Sequence, residues 1–216
     1  MSGQEHARRG AAPAVRSIVN NKEERPLAHY AALFARLQPD DAVARCKIGF
    51  DNGSFELTYM GAAHKINFPD FAVEPELSNA EKILLLRYLT EGCLRLPAGR
   101  FITFREAPKA AIYDANFQGR CLKRLAYGFG AQLPLWRKVM RSLGALELPE
   151  YGDAAFDWEI MPALTVRFIL WEGDEEDGFP PSAQILFSDN FPQAFSAEDL
   201  AVVGDVTINR MKAVKI

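Results

Sequence analysis

Residues 156–187 read FDWEIMPALTVRFILWEGDEEDGFPPSAQILF, and the side-chain spacing in this stretch decides the fold class. Phe156, Trp158 and Ile160 alternate with acidic residues, Leu164 to Trp171 form a branched and aromatic run, and Ala183 to Phe187 form another. Such side chains suit a pleated, half-buried surface, so the pattern predicts three strands. Upstream the period changes. Ser78 and Glu81 have capping-box spacing before the apolar run Ile83 to Leu86 and Leu89. This predicts a central buried helix, with Gly92 placed to end it in the left-handed conformation.

Further helices are predicted around that centre. Leu27, Tyr30, Leu33, Phe34 and Leu37 share a stripe, and helical spacing recurs from about Asp114 to Tyr127 and from Leu133 to Leu143, the latter closed by Gly144. Ser196 with Asp199, followed by Leu200, Val203, Thr207 and Met211, predicts a closing helix. Phe55, Leu57 and Tyr59, a bend at Gly61, and Lys65 to Phe68 predict a hairpin; Asn52-Gly53-Ser54 reads as a turn and Arg100 to Phe104 as an extended piece. Helices and strands fall in separate blocks. The expected class is therefore α+β, a central apolar helix and helical block packed on a mostly antiparallel sheet.

The 216 residues are 49% hydrophobic and 25% charged, balanced enough to fold around a core without disulfide or metal staples. Residues 1–24 are polar with no sustained apolar period and are expected to form a mobile tail, leaving 25–216 as one domain. No apolar run approaches the roughly 20 residues of a membrane span, and no secretory signal follows Arg8 and Arg9. Cys46, Cys93 and Cys121 are odd in number and widely spaced, which fits neither a disulfide framework nor a CxxC pair. A reducing cytoplasm is the expected compartment.

Signatures of common chemistry are missing. The chain has no G-x-x-x-x-G-K-[ST], G-x-S-x-G or H-E-x-x-H; Gly128-Phe129-Gly130 lacks the third glycine of a dinucleotide loop; and a triad would need His29 or His64 as its base. Cys93 and Cys121 lie among leucines and read as small core hydrophobes, although Lys123 and Arg124 beside Cys121 leave a reactive thiol open.

The acidic stretch Glu172 to Gly178 stands out because clustered carboxylates raise one another's proton affinity unless a cation or basic partner neutralises them. Its spacing fails the EF-hand pattern, since Gly178 falls at position seven. No metal is assigned; a solvated turn is the plain alternative to a binding site. Residues 100–141 carry nine basic side chains against two acidic, whereas 147–177 carry ten acidic against one basic. The two blocks are expected to face each other, or to face a partner polarised the opposite way. Tyr113, Phe117, Tyr127, Phe129, Trp158 and Trp171 lie near these charges and read mainly as core aromatics. The binding candidates are Tyr113, Phe117, Arg120, Arg124, Trp171, Asp174, Glu175 and Glu176.

Several ordered elements carry a resemblance. Lys82-Ile83-Leu84-Leu85-Leu86-Arg87-Tyr88-Leu89, Pro97-Ala98-Gly99-Arg100-Phe101-Ile102-Thr103-Phe104-Arg105-Glu106, Tyr113 with Phe117 and Arg120, Phe129-Gly130, Ile169 to Glu176, Phe179-Pro180 and Ile185-Leu186-Phe187 resemble a prokaryotic family, domain of unknown function 3786, over about residues 27 to 212. The resemblance implies partners among iron–sulfur or corrinoid-dependent methyl-transfer proteins. This chain departs from relatives with a cysteine-rich iron–sulfur domain in having no cysteine cluster, and it inserts Asp177-Gly178 before Phe179. The leading expectation is a non-catalytic binding or accessory domain. One alternative is a small-molecule enzyme in which Arg120 fixes an anionic substrate and a carboxylate of Asp174 to Glu176 acts as base or Mg²⁺ ligand. The other is nucleic-acid binding through basic helices, which the net charge of −3 opposes.

Overall fold

The computed structural model describes residues 23–174 and 178–215; most of the stretch expected as a tail, and the candidates Glu175 and Glu176, lie outside the described residues. The chain runs α1 (Glu24–Phe34), α2 (Pro39–Cys46), β1 (Gly49–Asp51), β2 (Ser54–Tyr59), β3 (Ala62–Asn67), β4 (Val73–Glu74), α3 (Asn79–Glu91) and β5 (Phe101–Thr103). It continues with α4 over residues 114–129, α5 (Leu133–Ser142), β6 (Leu146–Glu147), β7 (Ala154–Met161), β8 (Leu164–Trp171), β9 (Ser182–Ser188), a short α6 (Phe191–Ala194) and α7 (Ala197–Ala213). This is an α+β architecture.

The strands form two antiparallel sheets where one was expected, ordered β1-β2-β3-β4 and β5-β9-β8-β7-β6. The smaller sheet is built on the predicted hairpin. Met60 and Gly61 both take positive φ, 49° and 80°, which matches a two-residue turn to the natural twist of its strands. Register then places Phe55 opposite Ile66 and Leu57 opposite His64 on the buried face, and Glu56 opposite Lys65 on the exposed one. Met60 N–H donates to the Ile160 carbonyl at 2.8 Å, tying this hairpin to β7 of the larger sheet.

In the larger sheet Phe156, Phe168 and Ile185 lie side by side, and Val166 pairs with Phe187, all buried. α4 crosses β9 on this face, α7 packs against α4, α3 against α7, and α1 against α3. The expected central helix is confirmed in α3, where Leu84, Leu85, Leu86, Tyr88 and Leu89 are buried and the Ser78–Glu81 capping box is formed. Each such side chain contributes about 1.5–3 kcal/mol relative to exposure.

Two expectations need correction. Gly92 ends α3 in an extended conformation, φ −68° and ψ 156°, not a left-handed one. Glycine is needed there because an added Cβ would lie 2.6 Å from the Tyr88 carbonyl oxygen. The predicted helix 114–127 is interrupted by a π-helical stretch, Gln118–Lys123, between α-helical turns Asp114–Phe117 and Arg124–Phe129.

Candidate functional site

Arg120 and Arg124 of α4 reach across to the neighbouring helix α7. Arg120 donates to Asp205 Oδ2 of α7 at 2.5 Å, and Arg124 donates to Asp205 Oδ1 and to Asn209. Phe117 is 2% exposed and stacks on Phe104 with ring centroids 4.1 Å apart, so it belongs to the core. Tyr113 is half-buried against the same core. Trp171 ends β8 beside Gly152, where a glycine Cβ would lie 3.4 Å from its ring. Among the described candidates, Arg120 and Arg124 are held by a carboxylate on α7, 85 and 81 residues away in sequence, while Phe117 lies in the core.

The described residues of the acidic stretch, Glu172, Gly173, Asp174 and Gly178, border a concavity. β8 and β9 continue past their last regular pair, Trp171 opposite Ser182, to a doubly bonded bridge between Asp174 and Phe179, with both N–H···O contacts at 2.8 Å. This bridge closes the hairpin tip. The Glu172 N–H donates to Asp153 Oδ2 at 2.8 Å, fixing the base of the turn. On the other side, the end of α4 approaches so closely that an added Cβ on Gly130 would meet Pro181 Cβ at 2.4 Å. The result is a groove of about 650 Å³ between the α4 end and the hairpin tip, lined by Tyr127, Ala131, Glu172, Gly173, Asp174, Gly178, Phe179, Pro180 and Pro181.

Its chemistry is mixed. Tyr127 and Phe179 are 67% and 68% exposed, unusual for large rings, and Glu172 and Asp174 supply the charged lining. Tyr127, expected mainly in the core with the other aromatics, is exposed, whereas Phe117 and Phe129 are buried. Phe179 was not singled out as a site residue; its signal was an aromatic followed by two prolines in a turn, where no periodic face exists to bury it.

The opposed charge blocks meet in part. Arg137 and Arg141 of α5 both pair with Glu147, Arg141 at 2.6 Å, and Arg137 also donates to the Asp153 carbonyl. Hydrogen bonding from Arg141, with Arg137 adding to it, holds the Glu147 carboxyl below the usual range against the opposing effect of burial. Within the acidic block Arg167 forks onto Asp157 at 2.7 and 2.8 Å while its guanidinium lies over Phe101 and Tyr151. Cys46 and Cys121 are buried and their thiols are pushed up to about 11 and about 12, chiefly by burial; Cys93, expected in the core, is partly exposed. Among the described residues no group of three His, Cys, Asp or Glu side chains is arranged to hold a metal ion, and no helix is long and apolar enough to cross a membrane.

No curated protein and no solved structure matches the chain. A family pattern does match, over residues 38–210, which takes in both sheets, α3, α4 and most of α7. The chain belongs to that family, described as a domain of unknown function, DUF3786.

Proposed function

We propose that this domain is a non-catalytic docking module whose groove receives a basic segment of a partner protein. The observation that carries the reading is the pair of largely exposed rings, Tyr127 and Phe179, in one groove with Glu172, Asp174, Ala131, Pro180 and Pro181. Aromatic faces attract Lys and Arg ammonium and guanidinium groups, and they stack on apolar side chains and prolines. Among the described residues the lining contains no Lys or Arg, so a cationic segment meets no like charge from them. Iron–sulfur or corrinoid-dependent methyl-transfer proteins are the partner class, and the cytoplasm the compartment, to which the family resemblance and the three free cysteines point.

The test is fluorescence anisotropy with two labelled peptides, one alternating Lys or Arg with Leu and Pro, the other with its basic residues replaced by Ser. The basic peptide should bind, with affinity falling as salt rises. Tyr127→Ala and Phe179→Ala should each weaken it about tenfold or more, with unchanged melting behaviour because both rings are exposed. Equal binding of the neutral peptide, or indifference to both substitutions, would overturn the reading.

A further inference from the structure

Away from the groove, two cysteines far apart in sequence lie on adjoining segments, where α2 ends against the chain leaving α3. The Leu94 N–H donates to the Arg45 carbonyl at 2.8 Å, so Cys46 and Cys93, the inner neighbours of that pair, flank one backbone hydrogen bond. The Cys46 Sγ lies 3.9 Å from the Gly92 carbonyl oxygen, one peptide from Cys93, and 3.3 Å from the Tyr88 carbonyl oxygen. Tyr88 Oη donates back to the Cys46 carbonyl at 3.0 Å, which holds α2 and α3 together at this point. The Arg45 guanidinium caps the end of α3 through Gly92 O at 2.5 Å and Leu89 O at 2.7 Å, which places a fixed positive charge at the carbonyl that precedes Cys93. The two residues differ in burial: Cys46 is fully buried and Cys93 is partly exposed.

We propose that Cys46 and Cys93 constitute a reversible dithiol–disulfide site, oxidised by a low-molecular-weight disulfide such as glutathione disulfide. A partly exposed thiol near a guanidinium is the setting in which a cysteine reacts, so Cys93 reacts first. Its thiolate attacks one sulfur of glutathione disulfide, the S–S bond breaks, and one glutathione leaves as thiolate, taking up the proton Cys93 gave to solvent. Cys46 then attacks the Cys93 sulfur of the mixed disulfide and releases the second glutathione, to which its own proton passes. Two electrons move from the cysteine pair to the oxidant, which ends as two glutathione thiols. Burial of Cys46 shields it from the oxidant, so it enters only in the second step. The bridge would close a loop containing β1 to β4 and α3, so the oxidised form should resist urea better than the reduced one.

The experiment is to incubate the full-length chain with glutathione disulfide, block free thiols by alkylation and map the peptides by mass spectrometry. The expected product has lost two hydrogens, links the peptides bearing Cys46 and Cys93, leaves Cys121 alkylated only after unfolding, and reverts with dithiothreitol. In Cys46→Ser the reaction should stop at glutathione bound to Cys93. Accumulation in the wild-type chain of the Cys93 mixed disulfide with Cys46 free, or no reaction at Cys93, would overturn the proposal, and both are read without any variant having to fold.

Discussion

Asp205 accepts from two arginines one helix away, and this explains why the basic residues of α4 are structural. Each contact is partly exposed, and exposed pairs are individually weak, but two guanidinium groups share one carboxylate here. Asp205→Asn should cost about 1–2 kcal/mol in urea denaturation, and the loss should shrink when Arg120 and Arg124 are also neutralised. Glu147 gives a pH signature. Its folded carboxyl titrates below the unfolded value of about 4.3, so its stabilisation is present above that pH and is lost as pH falls through the folded value. Urea midpoints measured from neutral pH downward should therefore fall less steeply in Glu147→Gln than in the wild-type chain. Residue types and local spacing were legible in the sequence at these positions. Their partners were not: nothing near Arg120 signals a carboxylate 85 positions later, and charge alone does not distinguish a helix clamp from a ligand clamp.

Elements carrying their own local signals were read closely. Capping boxes announced α3 and α7, both formed by a serine hydroxyl and the carboxylate three residues on. Alternation announced β2 and β7, an extended run after the Gly61 bend announced β3, branched and aromatic runs announced β8 and β9, and Gly144 closes α5 with φ 76° as its position implied. Strands β1 and β4 span only three and two residues, too short for a period to register, so only the central hairpin of the smaller sheet is legible in the sequence. The π-helical stretch of α4 is also tertiary in origin. It faces Gly204 of α7, where an added Cβ would lie 2.8 Å from Cys121 Sγ and 3.2 Å from the Phe117 ring. Gly204→Ala should therefore destabilise the chain by about 1–3 kcal/mol through overpacking, despite alanine's better helix propensity. A gain in stability, measured by thermal unfolding, would mean that α4 and α7 separate more freely than their packing indicates.

At the scale of the molecule, residues from both sheets and from α1 to α7 contribute to one contiguous buried cluster. Unfolding by urea should accordingly proceed in one transition whether followed by far-ultraviolet circular dichroism or by tryptophan fluorescence, since Trp136 and Trp158 sit within that cluster. The acidic hairpin tip was visible in the sequence as an isolated run of carboxylates after a hydrophobic strand. The groove was not, because it needs the end of α4 and the β8–β9 tip to meet at Gly130 and Pro181, a contact between distant segments. The functional account rests on that meeting point. Titrating the ¹⁵N-labelled chain with the basic peptide and following amide shifts by NMR tests it most directly. The account predicts perturbations concentrated at Tyr127, Ala131, Glu172 to Asp174 and Gly178 to Phe179; shifts centred on another surface, with these amides unmoved, would contradict it.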